Sequence, residues 1–105
     1  MEINEYQKLA MRTRNPKLTK IEMLSNGVMG LCGESGEVIE HVKKHLYHGK
    51  DLNVEEIKKE LGDVCWYLAE IAEALDLELA DIMESNIEKL KQRYPEGFKT
   101  RKEQK

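Results

Sequence analysis

Four carboxylates in two short runs, Glu34-Ser-Gly-Glu37 and Glu60-Leu-Gly-Asp63, are the residues of this chain best suited to chemistry. Within each run the acids stand three residues apart, so on a helix both point the same way, one turn above the other. Setting the two runs face to face gathers four like charges into a small volume, which is unfavourable unless a cation neutralises them. Oxygen ligands without cysteine or a Glu-x-x-His pattern suit a hard ion, Mg²⁺ or Mn²⁺. Ions of this kind commonly hold a substrate phosphate as well.

The surroundings of the acids bear on that reading. On a helix, Gly27, Gly30, Glu34, Glu37 and His41 form one stripe, and Glu56, Glu60, Asp63 and Tyr67 form another. Each lies beside an apolar stripe, so an antiparallel hairpin brings both acidic stripes to the margin of the core. A solvating face would sit opposite the core. With 20 acidic residues in the chain, either run alone reads as surface charge. The two together, each with a neighbouring glycine and apolar flanks, favour a metal site. Further on, Asn86, Lys89 and Arg93 fall at i, i+3 and i+7. An amide and two cations in line suit a polyphosphate, with Arg supplying bidentate contacts. The competing reading is a solvated basic face, where cations favour the helix macrodipole. Tyr67, one turn beyond Asp63, suits stacking on a base or ribose, while Trp66 reads as core or subunit interface. His41, His45 and His48 read as cations at a helix C-terminus. Cys32 and Cys65 are in no paired spacing and read as small buried hydrophobes in a reducing compartment.

These residues must be carried by helices. The first is expected from about Asn4 to Arg14, with Asn4-Glu5-Tyr6-Gln7 as a capping box and Asn15-Pro16 as its break. The second starts at the capping box Thr19-Lys-Ile-Glu22 and runs to about Tyr47, where Gly49 and Asp51 end it. Its expected core stripe is Ile21, Leu24, Val28, Leu31, Val38, Val42 and Leu46. The third follows Asn53 as N-cap and carries Ile57, Leu61, Val64, Leu68, Ile71 and Leu75. The fourth spans Leu79 to Arg93, with Ile82, Met83, Ile87 and Leu90 expected to be buried, and Pro95-Glu96-Gly97 stops it. Short connections then predict an antiparallel four-helix bundle. Gly27, Gly30, Gly33 and Gly36 recur every third residue at up to about 1 kcal/mol each in a helix. They either allow close helix approach or clear room beside the acids.

Composition agrees with an all-α domain over residues 1–98 and a charged, disordered tail over 99–105. The chain has 105 residues, 35% of them charged, with only 7 Gly and 2 Pro, too little turn punctuation for an all-β protein. So polar a surface leaves a thin core, which predicts self-association as a homodimer or homotetramer. A net charge of −3 with no plainly basic face before the tail argues against nucleic acid as partner. No apolar run approaches membrane-spanning length and no signal-peptide pattern is seen, so the expectation is a soluble, cytoplasmic protein.

Gly30-Leu-Cys-Gly-Glu34-Ser-Gly-Glu37-Val, then Glu60-Leu-Gly-Asp63-Val after a gap of 22 residues, then Asn86-Ile-Glu-Lys89-Leu-Lys-Gln-Arg93-Tyr94-Pro, resemble the MazG-like all-α nucleoside triphosphate pyrophosphohydrolases. Tyr6-Gln7, Ala10 and Arg12-Thr13 are similar to small single-domain members, and the resemblance spans roughly Glu5 to Phe98. It implies hydrolysis of an NTP or dNTP between the α- and β-phosphates, giving the monophosphate and pyrophosphate. It also implies that Glu34, Glu37, Glu60 and Asp63 hold Mg²⁺, with Mn²⁺ as substitute. Asn86, Lys89, Arg93 and Tyr94 would meet phosphate or nucleotide, and Tyr67 sugar or base. Many members read Glu-Glu-x-x-Glu, and here Gly33 stands where they have the first glutamate. Two other classes compete. A ferritin-like diiron oxidase would need Glu-x-x-His, and His41 is at the wrong spacing from Glu37. A non-catalytic helical interaction module would need none of the acids.

Overall fold

A computed structural model describes residues 1–100 of the chain, so residues 101–105, most of the expected disordered tail, lie outside the described residues. Four helices follow in order: α1 (Ile3–Met11), α2 (Lys20–His48), α3 (Val54–Ala74) and α4 (Leu79–Arg93). Among the described residues there is no strand, only an isolated bridge between Pro95 and Gly97. The all-α expectation holds. Among the described residues no helix is long and apolar enough to cross a membrane.

The helix ends follow local chemistry closely. Thr19 Oγ1 accepts the Glu22 amide at 3.3 Å, and Glu22 Oε1 accepts the Thr19 amide at 3.0 Å, completing the predicted capping box. That bond from the Thr19 backbone holds the Glu22 carboxyl below the usual range. Gly49 closes α2 with φ 68°, a left-handed conformation that glycine adopts without strain. Asn53 Oδ1 accepts the Glu56 amide at 3.1 Å and caps α3. The expectation for α1 needs correction. It begins at Ile3 after Glu2 without a side-chain cap, and it ends at Met11, three residues earlier than Arg14. Asn4 does not cap the helix; its side-chain amide donates to Glu78 Oε2 at 3.3 Å.

Helices α2 and α3 form an antiparallel hairpin. Gly27 lies against Ile71 and the Glu70 carboxylate, and Gly30 against Tyr67, so the glycines at these two positions serve close approach. Gly33 and Gly36 face open space. Helix α1 lies across α3, and α4 touches α1 and α3, but among the described residues α4 makes no close approach to α2. The core is small: Ala10, Met11, Met23, Ala69, Ala72, Ala74 and Leu79, with Trp66, Tyr6 and Leu68 packed around it. Gln7 ties it together. Its buried amide donates to Leu77 O and Glu73 Oε1, at 3.0 and 3.1 Å, and its Oε1 accepts the Leu79 amide at 2.6 Å.

The four helices therefore do not close into a compact bundle within one chain. The radius of gyration is 17.2 Å, against about 13 Å for a compact chain of this length. The apolar residues expected in the core of α4, Ile82, Met83, Ile87 and Leu90, are all exposed. On α2, Ile21, Val28, Val42 and Leu46 are exposed too, as are Leu61 on α3 and Leu75 at its C-cap. Cys32 and Cys65 are free and exposed, not buried. Helical periodicity produced genuine apolar stripes, but the chain covers only part of them.

Candidate functional site

Antiparallel pairing of α2 with α3 sets the acidic runs opposite each other. Carboxylate oxygens of Glu34, Glu60 and Asp63 all lie within 4.8 Å of one another. Glu34 and Glu60 are half-buried, and Asp63 is exposed at the rim. The seam between the helices thus changes character along its length, from close packing at Gly27 and Gly30 to carboxylates at Glu34. Glu37 is exposed and stands outside this set, one turn along α2, yet its charge still bears on Glu34.

Electrostatics at Glu34 follow from crowding. Its carboxyl is pushed up to about 7, chiefly by a hydrogen bond with the Glu60 carboxyl, then by burial and by the charges of Glu60, Asp63 and Glu37. Two carboxyls this close share a proton more readily than they ionise together. Glu34 Oε2 is also buried without a hydrogen-bond partner among the described residues. A buried carboxylate oxygen without a partner, on a residue this close to two more acids, fits a divalent cation with oxygen ligands, which would satisfy the lone pairs and displace the proton. The donor set therefore suits the metal that the sequence pattern implies.

Beside the cluster a concavity of about 350 Å³ is lined by Thr13, Glu34, Asp63, Trp66 and Tyr67. The Tyr67 ring stands edge to face with Trp66, centroids 5.2 Å apart at 87°. Trp66 Nε1 donates to Ala10 O at 3.0 Å and to Thr13 Oγ1 at 2.7 Å, which fixes the indole against the end of α1. Thr13 in turn donates to Ala10 O at 2.7 Å. The turn that follows α1 therefore supplies a wall of the cavity through Thr13. Tyr6 lies in the same region, its hydroxyl pushed up by burial and, to a lesser extent, by Cys65 and Asp63.

The remaining site expectations are distributed differently. Tyr67 is at the acids, but Asn86, Lys89 and Arg93 are exposed on α4, a helix that makes no close approach to α2. Lys89 lines an outward-facing groove with Ser85 and Glu88, and Arg93 lies over the ring of Tyr94 at 5.3 Å. Within one chain the basic rail is not brought against Glu34. Two residues that sequence reasoning set aside do belong to the region. Thr13 lines the cavity, and only the Arg12-Thr13 similarity pointed to it. His41 is half-buried and faces Glu56 and Glu60 across the hairpin. Its place in the acidic stripe was the signal, and the helix-dipole reading obscured it.

Fold and site together define a helical-hairpin carboxylate centre of the kind that holds a divalent cation. Residues 24–98 match the family model of the MazG nucleotide pyrophosphohydrolase domain. The chain belongs to the MazG family. It is also 41% identical over 81 residues to the Gene 37 protein of Mycobacterium phage L5, covering 73% of this chain and 71% of that one. No solved structure matches it.

Proposed function

We propose that the chain is a divalent-metal-dependent nucleoside triphosphate pyrophosphohydrolase, converting an NTP or dNTP and water to the monophosphate and pyrophosphate. The observation that carries this is the meeting of Glu34, Glu60 and Asp63 within 4.8 Å beside a cavity walled by Tyr67 and Trp66, in a MazG family member. Glu34, Glu60 and Asp63 would hold Mg²⁺, or Mn²⁺ in its place. The ion supplies charge neutralisation for the triphosphate and a lowered pKa for water.

The chain's own residues do the rest. Tyr67, backed by Trp66, offers a flat face to the sugar or base. Glu37, one turn from Glu34 and outside the three acids whose oxygens lie within 4.8 Å of one another, takes the proton from the attacking water. Asn86, Lys89, Arg93 and Tyr94 hold the leaving phosphates. Because α4 and α2 of one chain do not meet, that rail comes from a second copy, whose packing would also cover the exposed apolar stripes of α2 and α4. Binding and positioning account for most of what phosphoryl chemistry asks of a protein.

The test is incubation with a panel of NTPs, dNTPs and dUTP in Mg²⁺, with products separated by ion exchange. Monophosphate plus pyrophosphate from one or a few substrates supports the reading. No turnover in Mg²⁺ or Mn²⁺, with no shift in melting temperature on adding either nucleotide or metal, sinks it in favour of a non-catalytic helical module.

A further inference from the structure

From the placement of His41 opposite Glu56 and Glu60 we infer a second cation site, built for a divalent transition metal rather than Mg²⁺. A ring nitrogen of His41 and carboxylate oxygens of Glu56 and Glu60 lie within 4.8 Å of one another, and all three residues are half-buried. They continue the hairpin seam past Glu34. His41 stands two turns beyond Glu34 on α2, and Glu56 one turn before Glu60 on α3, so Glu60 is common to both sets.

What separates this group from an ordinary ion pair is that it has not closed up. Among the described residues His41 makes no hydrogen bond and no ion pair, although two carboxylates are this near. By contrast His45, one turn on, places its Nδ1 2.8 Å from Lys50 O. Ligand bonds of about 2.0–2.2 Å put neighbouring donor atoms roughly 3–4 Å apart. Three donors within 4.8 Å of one another therefore need only a slight contraction to surround an ion. One Glu56 oxygen is engaged by Lys59 Nζ at 3.2 Å, but the Lys59 side chain is largely solvent-exposed, so the pair exchanges readily.

Donor chemistry sets the metal class. Mg²⁺ prefers an all-oxygen shell and gains little from imidazole, whereas Mn²⁺, Co²⁺ and Zn²⁺ accept a nitrogen with two carboxylates. The two sites therefore differ in selectivity: Glu34, Glu60 and Asp63 serve a hard ion, and His41, Glu56 and Glu60 a borderline one. The geometry of these three residues carries the second site whether or not the chain turns over nucleotide.

The experiment is a Mn²⁺ titration of the full chain, following free Mn²⁺ by its electron paramagnetic resonance signal in a millimolar excess of Mg²⁺. One Mn²⁺ per chain is expected to persist against Mg²⁺. His41→Gln should weaken that ion by tenfold or more, while His45→Gln and Glu34→Gln retain it. With Co²⁺ in place of Mn²⁺, the wild-type visible spectrum should change on His41→Gln while helical circular dichroism does not. If Mg²⁺ displaces all the Mn²⁺, or if His41→Gln titrates as wild type, there is no second site. Loss of the persistent ion in Glu34→Gln alone would assign it to the first set and overturn the inference equally.

Discussion

Gly30 on α2 lies against the phenol ring of Tyr67 on α3, so closely that a Cβ at position 30 would overlap the ring. The same ring lines the cavity beside Glu34 and Asp63. A glycine in mid-helix is thus what lets an aromatic wall sit level with the acids. Three residues further on, Gly33 meets nothing within 4 Å. The two glycines therefore answer differently to the same substitution.

Gly30→Ala should destabilise the fold by about 1–3 kcal/mol, because the ring must move or the helices part. It should also raise KM for the nucleotide by displacing Tyr67. Gly33→Ala should instead stabilise by up to about 1 kcal/mol through helix propensity alone. Denaturant unfolding of the two variants checks this, and equal shifts in the same direction would refute the packing argument.

Gln7 is the second position where one side chain governs several elements. It holds the α3–α4 connection to α1 through Leu77 O and the Leu79 amide. Gln7→Leu fills a similar volume but leaves that amide without its acceptor, at a cost of about 1–3 kcal/mol. Hydrogen exchange at the Leu79 amide should accelerate more than exchange in the α2–α3 hairpin. Uniform acceleration would mean that Gln7 acts on global stability only.

How far such features could be read in advance differs by type. Helix starts at Thr19 and Asn53, and the stop at Gly49, are set by side chains within a few residues, and those were legible. So was the meeting of Glu34 with Glu60 and Asp63, which needs only two helices, a short turn and antiparallel pairing. The exposure of Ile87 and Leu90 was not legible, because a stripe records that a face wants a partner but not which partner. Here the core is made largely from alanines, where α1 and α3 approach closely, and most larger apolar side chains remain outside it. His41 was missed for a related reason: its approach to Glu56 and Glu60 crosses between helices and depends on register, which spacing along one helix does not reveal.

The exposed stripe on α4 carries its own prediction. If a second copy covers it, the wild-type chain sediments as a dimer or larger, and the pair Ile87→Glu with Leu90→Glu shifts it toward monomer while helicity by circular dichroism is kept. Nucleotide turnover should fall with the dimer, since the basic rail then has no acidic cluster to meet. A fully active monomer would show that α4 reaches the site of its own chain.

The cation requirement of the acidic cluster should be visible in stability without any nucleotide. In the folded metal-free chain the Glu34 carboxyl is held at about 7 against an ordinary 4.5, so the folded state binds this proton more tightly than the unfolded state does. The sign follows from linkage: the stabilisation is complete below the ordinary value and is lost as pH rises through about 7. Metal-free protein should therefore melt at falling temperatures as pH goes from about 5 to 8. Mg²⁺ competes with that proton, so its stabilising effect should grow across the same interval. Glu34→Gln removes the titrating group and one ligand together, which should flatten the metal-free profile and abolish most of the Mg²⁺ response. Melting curves for both proteins, with and without Mg²⁺ at each pH, decide the matter: a wild-type metal-free profile superimposable on that of Glu34→Gln would mean that the acids do not crowd one another enough to call for an ion.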